Sequence, residues 1–114
     1  MEAPDFELIA AEAPESCFVI HKQALLRNLE TMKRVSQATD ARILLALKGY
    51  ACHATFSWIR PHIAGIAASS PHEAELGYRK MGGELHAYAP AYSENDIVQL
   101  SHWVDHLVFN SISQ

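Results

Sequence analysis

Cysteine is almost missing from this chain. Cys17 and Cys52 stand far apart and form no C-x-x-C pair, which argues against a disulfide framework and predicts reduced thiols in a cytoplasmic protein. No apolar run approaches the ~20 residues that a membrane-crossing helix needs. The acidic start Met1-Glu2-Ala3-Pro4-Asp5 lacks the basic flank of a signal peptide. Positive charge is also sparse, with nine Lys and Arg against thirteen Asp and Glu and a formal net charge of −4. The basic residues are scattered, so no stripe is available to track phosphates or anionic lipid, and neither nucleic acid nor a membrane is expected as a partner. What remains is 114 residues, 49% of them hydrophobic. That suits one globular unit too small for two full domains.

The most informative stretch is Ile43-Leu44-Leu45-Ala46-Leu47-Lys48-Gly49-Tyr50-Ala51. Five uncharged, mostly bulky residues run into a lysine and then a glycine, the pattern of a strand buried on both faces that ends where the chain must turn. A lysine inside such a run would bury an unpaired ammonium. At its carboxyl end it stands where parallel α/β folds bind ligands. Desolvation there favours the free amine, which can attack a carbonyl in Schiff-base chemistry. On the strand pattern alone, a surface lysine that caps a strand and neutralises nearby carbonyls is the more ordinary reading.

Residues 1–16 hold two prolines and five acidic residues, and read as a flexible lead-in with one short turn. Residues 17–114 form the folded unit. Cys17-Phe18-Val19-Ile20 is a short β-rich run. Leu25, Leu26, Leu29, Met32 and Val35 recur at three- and four-residue steps, which predicts an amphipathic helix over about 23–38, ended by Asp40. Thr55 to His62 fits a helix that Pro61 closes. Ile63 to Ser69 is a second strand. Ser70, Pro71 and Glu73 spell a capping box for the next helix, and Gly82-Gly83 stops it. Leu85 to Ala89 is a third strand, Ser93 opens a helix running to about Trp103, and His106 to Asn110 is a fourth strand. Ser111 looks like the start of another helix.

Alternating strands and helices imply parallel strands joined by right-handed crossovers. Units of roughly 20 residues suit a TIM barrel, whose complete form needs about 250 residues. The expected fold class is therefore α/β, the N-terminal part of a (β/α)8 barrel with about four parallel strands, preceded by a short strand and helix.

The blocks Cys17-Phe18-Val19-Ile20, Ile43 to Ala51, Ala67-Ala68-Ser69-Ser70-Pro71-His72-Glu73-Ala74, Tyr88-Ala89-Pro90-Ala91-Tyr92-Ser93 and Val108-Phe109-Asn110-Ser111 together resemble the carboxynorspermidine/carboxyspermidine decarboxylase family. That family belongs to the alanine racemase and ornithine decarboxylase fold group, and the likeness runs from about residue 17 onward. It implies a barrel of the pyridoxal 5'-phosphate-binding type, a homodimer, and PLP-dependent decarboxylation of carboxynorspermidine or carboxyspermidine to norspermidine or spermidine in polyamine biosynthesis. It implies Lys48 as the lysine that holds the cofactor. Related basic amino acid decarboxylases place an aspartate on the strand after the lysine strand, where this chain has Ala67, and that departure fits the narrower assignment. The 114-residue chain alone is expected to be inactive, with the rest of the site beyond Gln114.

Other residues have two readings. Ser69, Ser70 and His72 share the rim with Lys48 and could face the cofactor, Ser69 foremost, or could simply cap the following helix. Tyr88 and Tyr92 could line a substrate pocket, Tyr92 foremost, or could pack with their hydroxyls in water. His53 and Cys52 could shape the cofactor loop or belong to an ordinary one. His102 and His106 are four apart but lack a completing carboxylate or cysteine, so no metal is expected. Trp58 and Trp103 read as packing residues. Two alternatives stay open: another PLP amino acid decarboxylase or racemase of the same fold group, and a noncatalytic α/β fragment in which Lys48 is structural.

Overall fold

Four short strands, Leu44–Ala46 (β1), Gly65–Ala68 (β2), Glu84–Tyr88 (β3) and His106–Val108 (β4), pair side by side in sequence order, all parallel. The computed structural model describes residues 5–13 and 15–114; the acidic opening Met1–Pro4 lies outside them. Between the strands run Phe56–Ile59 (α3), Pro71–Lys80 (α4) and Glu94–Leu100 (α5). Two further helices precede them, Phe6–Glu12 (α1) and Lys22–Thr39 (α2). The sheet is not closed, as expected of part of a barrel.

The register sorts the strands into two faces, because side chains alternate along each one. Leu45, Ile66, Ala68, Leu85, Ala87 and Leu107 share one face, and it is packed. Ile66, Ala68, Leu85 and Ala87 are buried with Phe56, Ile59, Ala74, Met81 and Leu100 from the helices and connections. Gly77 lets α4 sit directly on β2, since a Cβ there would run into the Ile66 side chain. The opposite face carries Leu44, Ala46, Gly65, Ala67, Glu84, His86, Tyr88, His106 and Val108. Among the described residues no helix covers it.

Local chemistry explains the helix ends. The Ser70 hydroxyl accepts the Glu73 N–H at 3.2 Å, while the Glu73 carboxylate accepts from Ser69 N at 2.6 Å, so the expected box closes one residue early. Ser93 and Asp96 close a full capping box on α5. Asp40 ends α2 at φ 57°, and Gly82 and Gly83 turn the chain after α4 at φ 68° and 82°, values that glycine adopts without a Cβ penalty.

Several expectations are corrected. The lead-in holds a two-turn helix, α1, because Asp5 caps it by accepting the Leu8 N–H at 3.1 Å. Cys17–Ile20 forms no strand, and Phe18 is fully exposed. β-rich composition makes a strand only beside a partner ladder, and β1, the nearest strand in sequence, pairs with β2 alone among the described residues. β1 is not buried on both faces: Ala46 is exposed, because the strand lies at the sheet edge with its second face open. The segment from Thr55 breaks into a 3-10 turn His53–Thr55, α3, and a second 3-10 turn Arg60–His62 that contains Pro61. Met32 and Val35, in the predicted apolar stripe of α2, are exposed. α5 ends at Leu100, three residues short of Trp103. Ser111–Gln114 makes a turn and starts no helix, with Gln114 N bonded to Ser111 O at 3.3 Å.

Candidate active site

Lys48 lies in the turn that leaves the carboxyl end of β1. Gly49 N and Tyr50 N both donate to Ala46 O, at 3.0 and 3.2 Å, which curls the backbone tightly round the lysine. Leu47 is buried beneath the turn and Lys48 is exposed. The loop that follows is braced from inside. Tyr50 Oη and Thr55 Oγ1 are 3.0 Å apart, Thr55 Oγ1 donates to Cys52 O at 2.8 Å, and Thr55 is only 3% exposed. The Cys52 and His53 carbonyls serve the loop's own bonding, accepting from Thr55 Oγ1 and Phe56 N, and the brace, which rests on a part-buried Thr–Tyr pair five residues apart, left no signature in the sequence.

The rest of the rim can be read from the register. Ala46 pairs with Ala67 and Leu47 N donates to Ala67 O at 3.1 Å, so the Lys48 turn begins at the carboxyl end of β2, close to where Ser69 follows. Both neighbours on this face, Ala46 and Ala67, carry only a methyl group. Ser69 N is taken by Glu73 and Ser70 Oγ by the helix cap, while His72 is exposed. Tyr88 Oη donates to Asn110 Oδ1 at 3.2 Å. Tyr92 Oη accepts from Ala89 N at 2.8 Å and donates to Val108 O at 3.1 Å, and its ring stands edge-on to Phe109. Tyr92 thereby ties the ends of β3 and β4 together, and burial raises its phenol pKa above 10.0 despite the Ala89 hydrogen bond. Trp58 carries Lys22 Nζ 4.5 Å above its ring, and Trp103 packs on Tyr78.

One cluster escaped the sequence reading. Glu84 and His86 alternate on β3, and His106 stands opposite His86 on β4. Glu84 Oε1 lies 2.7 Å from His86 Nε2 and 3.3 Å from His106 Nε2, Arg42 forms an ion pair with Glu84 Oε2, and the two imidazoles stack at 4.3 Å. The three ligand-type atoms fall within 4.8 Å of one another. A 2.7 Å contact is a hydrogen bond, so Glu84 and His86 form a hydrogen-bonded pair, with His106 beside them at 3.3 Å. His102, four residues before His106, stays apart from this cluster, its Nδ1 2.7 Å from Val98 O. The findable signal was a Glu-x-His alternation on a strand.

The His86 hydrogen bond, with the charge of Arg42, holds the Glu84 carboxyl below its ordinary 4.5 against the upward push of burial. Bonds from Ser93 hold Asp96 below 3.8. A carboxyl depressed in the folded state contributes stability above its unfolded pKa and loses it as pH falls through the folded one. Thermal unfolding of the full-length protein should therefore hold steady from pH 7 to about 5 and fall below that, and Glu84→Gln should flatten part of the decline. An acid limb identical in Glu84→Gln would deny Glu84 that role.

Parallel β/α units of TIM-barrel type, with a lysine on the carboxyl rim of the first strand, define the class: part of an α/β barrel. No protein-family model matches the chain. It is similar to the carboxynorspermidine/carboxyspermidine decarboxylase of Herminiimonas arsenicoxydans, 40% identical over 85% of this chain and 27% of the relative. It is also similar to the carboxyaminopropylagmatine decarboxylase of a Synechocystis species, 39% identical over 89% of this chain and 26% of the relative. The crystal structure of carboxynorspermidine decarboxylase complexed with norspermidine from Campylobacter jejuni superposes with a TM-score of 0.86 at 29% identity, covering 90% of this chain and 28% of that one. These are the decarboxylases that the sequence blocks resemble. The chain spans about a quarter of the length of the relatives it matches.

Proposed function

We propose that this chain is the lysine-bearing part of a PLP-dependent decarboxylase that converts carboxynorspermidine or carboxyspermidine to norspermidine or spermidine, acting as a cytoplasmic homodimer. The observation that carries it is Lys48 on the barrel rim, in a fold that superposes on a carboxynorspermidine decarboxylase. The residues present fit the cofactor. Lys48 is exposed and enters no ion pair among the described residues, and the methyl-only neighbours Ala46 and Ala67 leave room on its face. Pyridoxal phosphate, when bound, supplies the electron sink for the pair released as the carboxylate leaves. The chain would supply the amine that holds it, carried on a turn held by backbone bonds, and Ser69 just past the end of the next strand. Tyr92 closes the far side of the rim as a candidate substrate contact.

The 39% identity to a carboxyaminopropylagmatine decarboxylase favours a second substrate reading, a carboxylated amine ending in a guanidino group. Relative turnover of the three carboxylated amines by the full-length protein decides between them. Borohydride reduction of that protein after incubation with PLP, followed by peptide mapping, tests the reading itself. The reduced cofactor is expected on Lys48, and a label on any other lysine overturns the assignment.

A further inference from the structure

Arg42, Glu84, His86 and His106 have no part in the chemistry assigned above, yet Glu84, His86 and His106 lie on the open face of the sheet whose first strand leads into the Lys48 turn, and Arg42 is ion-paired to Glu84. The register arranges that face in rows: Leu44, Gly65 and Glu84, then Ala46, Ala67, His86 and His106. Tyr88 and Val108 make the next row, about 6.6 Å further along the strands, while on the β1 side the Lys48 turn begins directly after Ala46. The row that ends β1, two residues before Lys48, is therefore two methyl groups followed by two imidazoles. His86 stands beside Ala67, whose methyl leaves the ring uncovered on that side, and its side chain is 28% exposed.

The hydrogen bonds fix which ring nitrogen is spoken for. Glu84 is a carboxylate and can only accept, so His86 Nε2, 2.7 Å away, carries the hydrogen. Arg42 holds the other carboxylate oxygen and His106 adds a second contact to Oε1, so Glu84 is restrained from both sides. In the neutral ring the remaining nitrogen, Nδ1, is then an acceptor, and among the described residues it has no partner. Besides Glu84, His106 and Tyr88, no other titratable side chain of the four strands shares this side of the sheet with His86. An acceptor nitrogen backed by a carboxylate suits a donor that carries positive charge.

We propose that His86, oriented by Glu84 through Nε2, uses Nδ1 to bind a protonated amine in the Lys48 site, and that Glu84 is its positioning residue. The inference deepens the proposed function by naming a contact for a polyamine-type ligand, and its test does not depend on turnover. The amine has two sources, a polyamine ligand or Lys48 itself, and the experiment separates them.

The full-length protein is titrated with norspermidine by calorimetry as wild type, His86→Ala, His86→Asn and Glu84→Gln. In parallel, the pH midpoint of Lys48 acylation is read by mass spectrometry without cofactor. Asn places an amide oxygen near the position of Nδ1, so it restores an acceptor that Ala lacks. Loss of one charge-assisted hydrogen bond predicts norspermidine binding weakened about tenfold in His86→Ala, largely recovered in His86→Asn, and intermediate in Glu84→Gln. If Lys48 is the amine, binding holds and the acylation midpoint instead drops by about one pH unit in His86→Ala. Unchanged binding with an unchanged midpoint overturns the proposal. So does equal weakening in His86→Ala and His86→Asn when both melt like wild type, because that marks loss of shape alone. A borohydride label away from Lys48, with the His86 pattern intact, would sink the cofactor reading and leave this one standing.

Discussion

Lys48→Ala in the full-length protein is expected to cut decarboxylation by about 1,000-fold or more, the scale on which loss of a covalently acting or proton-carrying side chain is felt. Lys48→Arg should be almost as damaging. Guanidinium keeps the positive charge but stays protonated at any working pH, so it can neither attack a carbonyl nor release one. That pair of variants separates the enzyme from a noncatalytic fragment, in which an exposed lysine capping a strand would accept arginine with little change. Both variants should melt within about 1–2 °C of wild type, because exposed side chains without partners carry little stability, and Lys48 is exposed in a turn held by backbone bonds. Activity assays beside thermal unfolding check the two statements together. Retained turnover in Lys48→Arg would remove the lysine from the chemistry.

What the sequence made legible follows from where its signals are local. The Ser70 and Ser93 caps, the Gly82-Gly83 stop and the parallel β/α alternation were all readable, because each depends on residues within a few positions of one another. Burial was read less well. Ile43 to Leu47 looked like a strand covered on both sides, yet the cover on its second face has to come from elements distant in sequence, and none is present among the described residues. The same reason undoes Cys17–Ile20, which has the composition of a strand but no ladder to join. The polar group on the open face was missed for the complementary reason. Glu84, His86 and His106 are unremarkable in order along the chain, and Arg42 lies 42 residues before Glu84 by number alone; only the β3–β4 register and the Arg42 ion pair bring the four together.

The tightest point of that same face makes the second large prediction. Gly65 on β2 faces Glu84 on β3, and a Cβ built there would lie 2.6 Å from both the backbone N and C of Glu84 and closer still to its carbonyl oxygen. Those atoms are main chain in the neighbouring strand, so they cannot swing aside as a side-chain tip does. Gly65→Ala must therefore push β2 and β3 apart where Ala64 O receives the Glu84 N–H at 3.0 Å, and must disturb the carboxylate that His86 and Arg42 hold. The expected cost is about 3 kcal/mol, at the upper end for overpacking, since backbone must move. Gly49→Ala is the control. Its Cβ would meet only Ala46 O, at 3.5 Å, an ordinary contact, so that substitution should be nearly neutral in stability. Thermal unfolding of the two full-length variants side by side is the measurement. A Gly65→Ala protein that melts with the Gly49→Ala control would mean that β2 and β3 have slack at this point, and the close strand approach would no longer explain why a glycine stands there.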